Sequence, residues 1–175
     1  MQLGIVQIAQ SFGFDNITDG QVYDEELRSG ILADELGYDL VSMVEHHFED
    51  YALCPDNFVY LAHLAAKTRR IKLMMGDHFA DVKGYEEYGE TARVMQAVGM
   101  EGVADGYLAG QTWGTPRQIL EKIEARRKIV GDFDGLFAVR FAGTSFEVVE
   151  RTMKTFAKEV MPELKSWNIA TTMAV

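Results

Sequence analysis

A single cysteine, Cys54, stands in 175 residues. An internal disulfide is therefore excluded. That usage fits a reducing compartment, so a cytoplasmic setting is expected. A lone thiol ahead of Pro55 reads as a small loop residue rather than a nucleophile. Cations are also scarce: 17 Lys and Arg against 27 Asp and Glu leave a net charge of −10 at pH 7. Binding a nucleic acid or an anionic membrane needs clustered cations, so neither partner is expected; the acidity reads as solubility. No apolar run approaches the roughly 20 residues of a membrane-spanning helix. The chain runs at once into the apolar stretch Leu3–Ala9, so no secretory leader is expected. Proline and glycine are too few for a disordered or fibrous chain. There is no CxxC pair, no Walker loop and no GxGxxG motif. Gly4, Gly13 and Gly20 have the wrong spacing and context to cradle a phosphate.

What is present is a core. The hydrophobic fraction is 47%, and the length suits one domain, residues 1–175. Leu3–Ala9 reads as a buried strand, followed by the polar loop Ser11–Gly20. A helix is expected from about Asp24 to Leu36, with acids in its first turn, Leu27, Ile31, Leu32 and Leu36 on one face, and Gly37 after its end. Asp39–Val44 is a second strand. A second helix is capped by Asp56 or Asn57 and buries Phe58, Leu61, Ala62, Leu64 and Ala65, with His63 structural or exposed. Ile71–Met75 is a third strand. This alternation specifies parallel strands with right-handed crossovers. The rhythm breaks over Gly76–Gly114, where Tyr85–Gly99 looks helical and Tyr107–Ala109 extended. Thr115-Pro116-Arg117-Gln118 then forms a capping box opening a helix to about Val130, which buries Ile119, Ile123 and Val130. Gly135–Phe141 is a further strand. Thr144–Glu147 reads as a second capping box. Its helix buries Val149, Met153, Phe156 and Val160 and stops near Pro162; the tail from Lys165 shows no pattern.

The most informative stretch is Glu45-His46-His47-Phe48, which closes the apolar strand Leu40–Val44. In parallel α/β folds the carboxyl ends of strands are where ligands bind. Histidine titrates nearest neutrality, so it is the usual proton handler. Neighbouring strand residues point to opposite faces. At most one of the two rings is then expected to enter a site, while the other packs or makes an ordinary hydrogen bond.

Several segments, taken in order, resemble the luciferase-like flavin monooxygenases, the superfamily of bacterial luciferase. Ala33-Asp34-Glu35-Leu36-Gly37-Tyr38-Asp39 precedes Glu45-His46-His47-Phe48. Leu61–Thr68 precedes Arg70-Ile71-Lys72-Leu73. Gly114-Thr115-Pro116 opens a helix, and Phe141-Ala142-Gly143 precedes a last helix ending Phe156–Pro162. The likeness spans roughly residues 1–75 and 110–165. It implies a (β/α)8 barrel that binds reduced FMN and uses O2 to oxidise an aldehyde or other small organic substrate, with a flavin reductase as the source of reduced flavin. The strand-two histidine of the family lies beside the flavin and assists proton transfer. The matching residues are His46 and His47, with His46 favoured as the catalytic group and His47 supporting or packing. Met75 and Gly76, closing strand three, are carried over as residues lining the flavin. Asp77 and His78 have no partner spacing for a metal.

A full barrel needs about 250 residues. The matches cover strands one to three and eight, and the seam falls near Met74–Asp77, because Lys83–Tyr88 resembles a late family segment. The expected fold class is therefore α/β, an incomplete (β/α) barrel with about four to five parallel strands. Such a sheet has two open edges and an uncovered face. A second copy forming a homodimer, or the Tyr85–Met100 segment, is expected to cover it. The alternative to a flavin enzyme is a non-catalytic remnant acting as a flavin-binding or interaction protein.

Overall fold

A computed structural model describes residues 1–10, 17–45, 52–76, 109–140 and 143–167. The described elements alternate as the apolar periodicity requires. They are β1 (Leu3–Gln7), α1 (Asp19–Leu36), β2 (Leu40–Val44), α2 (Asn57–Ala65), β3 (Lys72–Gly76), α3 (Pro116–Val130), β4 (Gly135–Ala138), α4 (Phe146–Glu159) and α5 (Met161–Ser166). The strands form one sheet in the order β3-β2-β1-β4. Every pairing is parallel, so all four strands end at the same edge. The sheet is an unclosed section of a (β/α) barrel, as the sequence pattern implied.

Register divides the sheet into two faces. Ile5 stands beside Val41 and Phe137, and Val41 beside Leu73. That row faces the helices, because Phe137 packs on Phe156 of α4 with ring centroids 4.8 Å apart. Leu3, Ile5, Val41 and Met43 are fully buried there. The core continues through Val22 and Ala33 of α1, Leu64 of α2, Ile123 of α3, and Val149, Met153 and Val160. On the opposite face Gly4 lies beside Leu40. A Cβ on Gly4 would come 2.4 Å from the Leu40 carbonyl oxygen and 2.5 Å from its Cγ, so only glycine admits that leucine.

Three boundaries differ from the sequence reading for identifiable reasons. Helix α1 starts five residues early, at Asp19, because Thr18 and Gln21 close a capping box. The large apolar residues Leu27, Ile31, Leu32 and Leu36 are only half-buried, while Val22, Glu26, Ser29, Gly30 and Ala33 face the sheet. At Gly30 the close neighbour is α2: a Cβ there would meet Leu64 Cδ2 at 2.9 Å. The box expected at Thr144–Glu147 is not made; Ser145 is the N-cap of α4 and forms no side-chain cap bond. Beyond Glu159 the chain does not stop at Pro162 but adds α5, with that proline in its first turn, where an N–H is not needed.

Smaller corrections concern exposure. Phe58 and Val130 are both 68% exposed, and Ala62 and Ala65 are exposed too. Ala109 is helical rather than extended. His63 is exposed on α2, as expected. His46, His47, Asp77, His78 and the helix expected over Tyr85–Gly99 lie outside the described residues.

Candidate functional site

At the carboxyl edge the strands end at Gln7, Val44, Gly76 and Ala138. Buried polar groups gather just there. Gln7 is 1% exposed and lies on the helix-facing side. Its Nε2 donates to the Glu26 carbonyl and to Ser29 Oγ (2.7 Å), and its Oε1 accepts from the Tyr60 hydroxyl at 3.0 Å. Helices α1 and α2 are thus tied to the end of β1 by one amide. Glu26 is 3% exposed. Burial pushes its carboxyl up to about 7; Arg140, the Ala9 amide and the Ser29 hydroxyl oppose that rise.

Arg140 follows β4 by two residues. Its Nη2 lies 2.5 Å from Glu25 Oε2 and its Nη1 3.9 Å from Glu26 Oε1, with the guanidinium side chain 10% exposed. Neither Glu25 Oε2 nor Arg140 Nη1 forms a well-aligned hydrogen bond, so the contact is one of charge. One guanidinium between two carboxyls offsets the desolvation that would otherwise keep both acids out of the interior.

The loops above this cluster are clamped. Among the described residues, Ala9 and Ala52 are the non-glycine residues with positive φ, at 50° and 53°. The Leu53 N–H donates to the Ala9 carbonyl (2.9 Å), and the Tyr23 hydroxyl donates to the Leu53 carbonyl (2.6 Å). Glu45, directly after β2, accepts from the Asn57 N–H at the start of α2 (3.1 Å). A carboxylate there suits the positive end of the helix. Cys54 is 1% exposed, and burial pushes its thiol up, with the Glu45 and Asp56 charges adding to the rise. A buried thiol held in its neutral form is a poor nucleophile, in keeping with its reading as a loop residue.

The residues carried over for the flavin fall as follows. Met75 is in register with Met43 and so belongs to the helix-facing row, 45% exposed. Met74, its neighbour on the opposite face beside Ser42, is 42% exposed. Gly76 pairs with Val44 at the end of β3. The residues that follow Glu45 are His46 and His47. Sequence reading missed Gln7, Glu26 and Arg140. The signal was present in α1: Val22, Glu26, Ser29, Gly30 and Ala33 recur at helical spacing, so a carboxylate stands on the buried face.

A cavity of about 730 Å³ lies elsewhere. It runs beside β4 between α3 and α4 and is walled by Tyr38, Trp113, Ile123, Phe133, Phe137 and Phe156. Its one guanidinium, Arg126, already donates to Thr112 Oγ1 and the Gly110 carbonyl. Volume alone would favour this cavity. The strand-end cluster is the better candidate because the strained turns and the perturbed carboxyl are there. Among the described residues no group of three His, Cys, Asp or Glu side chains is placed to hold a metal, and no helix is long and apolar enough to cross a membrane.

Comparison with known proteins agrees with this architecture. The luciferase-like monooxygenase family profile matches residues 1–80. The crystal structure of the monooxygenase RslO1 from Streptomyces bottropensis is similar with a TM-score of 0.74 at 17% identity, covering 94% of this chain and 100% of that one. An FMN complex of the oxygenating constituent of 3,6-diketocamphane monooxygenase from Pseudomonas putida, a type II Baeyer-Villiger monooxygenase, has a TM-score of 0.40 at 23% identity. It is matched over 45% of this chain and 21% of its own. Apo-MsnO8 has a TM-score of 0.41 at 18% identity, over 87% and 36%. No curated protein matches the chain. The fold is therefore similar to that of a solved monooxygenase over most of the chain. The resemblance in sequence is confined to the first 80 residues, where the luciferase-like monooxygenase family model matches.

Proposed function

We propose that this protein is an FMN-dependent monooxygenase that uses O2 to oxidise a small organic substrate, with reduced flavin supplied by a separate reductase. The observation that carries this reading is the place of β2. It is an interior strand beside β1, and it ends on the edge that carries Gln7, Glu26 and Arg140. His46 and His47 follow it after one residue, Glu45, whose side chain is pinned to α2. A proton-transferring imidazole is wanted at that edge.

The described residues fit the ring of the cofactor better than its phosphate. In this reading Met75, exposed at the end of β3, and Gly76 after it line the flavin ring. Arg140 is committed to Glu25 and Glu26, so it is not assigned to a phosphate. The flavin supplies oxygen activation when bound. His46 holds or moves the proton at the reacting centre, and His47 packs beside it.

Titration with FMN, oxidised and reduced, tests the proposal. Quenched flavin fluorescence and a shifted absorption band are expected. The His46→Ala variant should keep flavin affinity within a few-fold while losing about 10²-fold or more in substrate oxidation. Loss of binding in that variant would assign His46 a structural role. No spectral change with wild-type protein up to millimolar FMN would overturn the enzyme reading in favour of a non-catalytic interaction protein.

A further inference from the structure

The cavity beside β4 plays no part in the chemistry proposed above, yet its walls suit one kind of ligand. At about 730 Å³ it lies within the roughly 300–1,000 Å³ that small-molecule sites occupy. Its aromatic walls are Tyr38, Trp113, Phe133, Phe137 and Phe156. The Tyr38 and Phe156 rings lie nearly parallel, 16° apart, with centroids at 6.1 Å, and Phe137 packs on Phe156. The Tyr38 hydroxyl donates to the Met153 carbonyl (3.2 Å), so this wall offers ring surface rather than a polar group. Trp113 is 58% exposed, and a large apolar ring gains by being covered.

Cations flank this apolar space. Arg126 lines it. Lys122, one turn earlier on α3, holds its Nζ 4.7 Å from the centre of the Trp113 ring. In a chain of net charge −10, these two differ from their neighbours in their partners. Arg126 donates to Thr112 Oγ1 and the Gly110 carbonyl. Lys122 donates to the carbonyls of Gln111 (3.2 Å) and Trp113 (3.0 Å). All of these acceptors are neutral. The other cations of α3 each face a carboxylate: Arg117 meets Glu121, Arg127 meets Asp132 and Lys128 meets Glu124. Among the described residues, Arg126 and Lys122 have no such match. Asp134, the acid on the cavity wall, accepts from the Gln2 N–H. We propose that the cavity is a binding site for a small aromatic carboxylate, with its rings among the aromatic side chains and its carboxylate on Arg126. A guanidinium carries five N–H donors, so the two partners it has leave room for a planar anion. Lys122 adds to the attraction at the Trp113 side. The site lies at β4, separated by β1 and β2 from Met75 and Gly76 of β3, and it does not rest on the flavin reading.

The test is a titration of the whole chain with 2-naphthoate and with its neutral counterpart, 2-naphthylmethanol. Calorimetry reads affinity, and the indole N–H resonances of Trp113 and Trp167 read location. One 2-naphthoate per chain should bind, about tenfold more tightly than the alcohol, the effect of a hydrogen bond to a charged group. The Trp113 resonance should move and that of Trp167 should stay. Arg126→Gln should abolish the preference for the acid while keeping the alcohol's affinity within a few-fold. Thr152→Phe, which fills the cavity from an exposed wall position, should weaken both ligands. Should Arg126→Gln not fold, the preference of wild-type protein and the effect of Thr152→Phe decide. The proposal is overturned if 2-naphthoate does not saturate by millimolar concentration, if acid and alcohol bind equally, or if Thr152→Phe leaves both affinities unchanged. Displacement of 2-naphthoate by FMN would overturn it as a site apart from the flavin. Failure of FMN to bind would sink the enzyme reading and leave this site standing.

Discussion

Asp34 organises the amino edge of the sheet through its carboxylate. Its carboxylate accepts N–H bonds from Arg69 (3.0 Å), Arg70 (3.0 Å) and Ile71 (2.8 Å), which fixes the turn into β3. Burial alone would raise its pKa. The three amides and the Arg70 charge outweigh that and hold the carboxyl below the ordinary 3.8. A lowered carboxyl stabilises the fold above its ordinary pKa, and that stabilisation is lost as pH falls further. Asp34→Ala should cost on the order of 3 kcal/mol by denaturant unfolding at pH 7, since it leaves three amides without an acceptor. The cost should shrink below pH 4. An unchanged difference at pH 3 would count against the assignment. Asp34 and Glu26 thus differ: backbone amides hold Asp34 low, whereas burial pushes Glu26 up.

Caps show how a local signal becomes a boundary. Thr18 and Thr115 each accept an N3 amide and receive the glutamine side chain in return, so α1 and α3 begin where the chain writes S/T-x-x-Q. Ser145 has the right chemistry but makes no side-chain bond. The contrast is measurable. Thr18→Ala should lower stability by about 1 kcal/mol, whereas Ser145→Ala should change it by no more than a few tenths. Equal losses at the two sites would show that the α4 cap is made in solution. At the other end of α1, Gly37 takes φ 81° and turns the chain into β2, as its position after Leu36 implied. Helix α4 was legible for another reason. Its buried residues Val149, Met153 and Phe156 keep strict helical spacing, so one period decided both its type and its face.

At the scale of the molecule, β3 and β4 are the outer strands of the described sheet, and each carries exposed apolar side chains: Met74 and Met75 on one, Leu136 on the other. Parallel strands are seldom left so. A second copy is the proposed cover. Light scattering on the eluting protein should then give twice the 19.7 kDa chain mass, and Leu136→Lys should shift it toward one. A monomer at high concentration would rule out the dimer and leave the cover to the chain itself. The solved monooxygenase it resembles is matched over its whole length.

The sequence by itself determined the elements, their parallel order and the edge at which chemistry should be sought. Apolar period, capping residues and strand-helix alternation are local, and each is written within a dozen residues. Tertiary structure decided which faces are buried and what the carboxyl edge holds. Gly30 lets α1 approach Leu64 of α2 closely, and small residues rather than Leu27 and Ile31 are the buried ones. Gln7, Glu26, Tyr60 and Arg140 are 133 positions apart at the extremes, yet one amide and one guanidinium join them. No window of sequence contains that cluster, because the burial that shifts Glu26 exists only once β1, β4, α1 and α2 have packed.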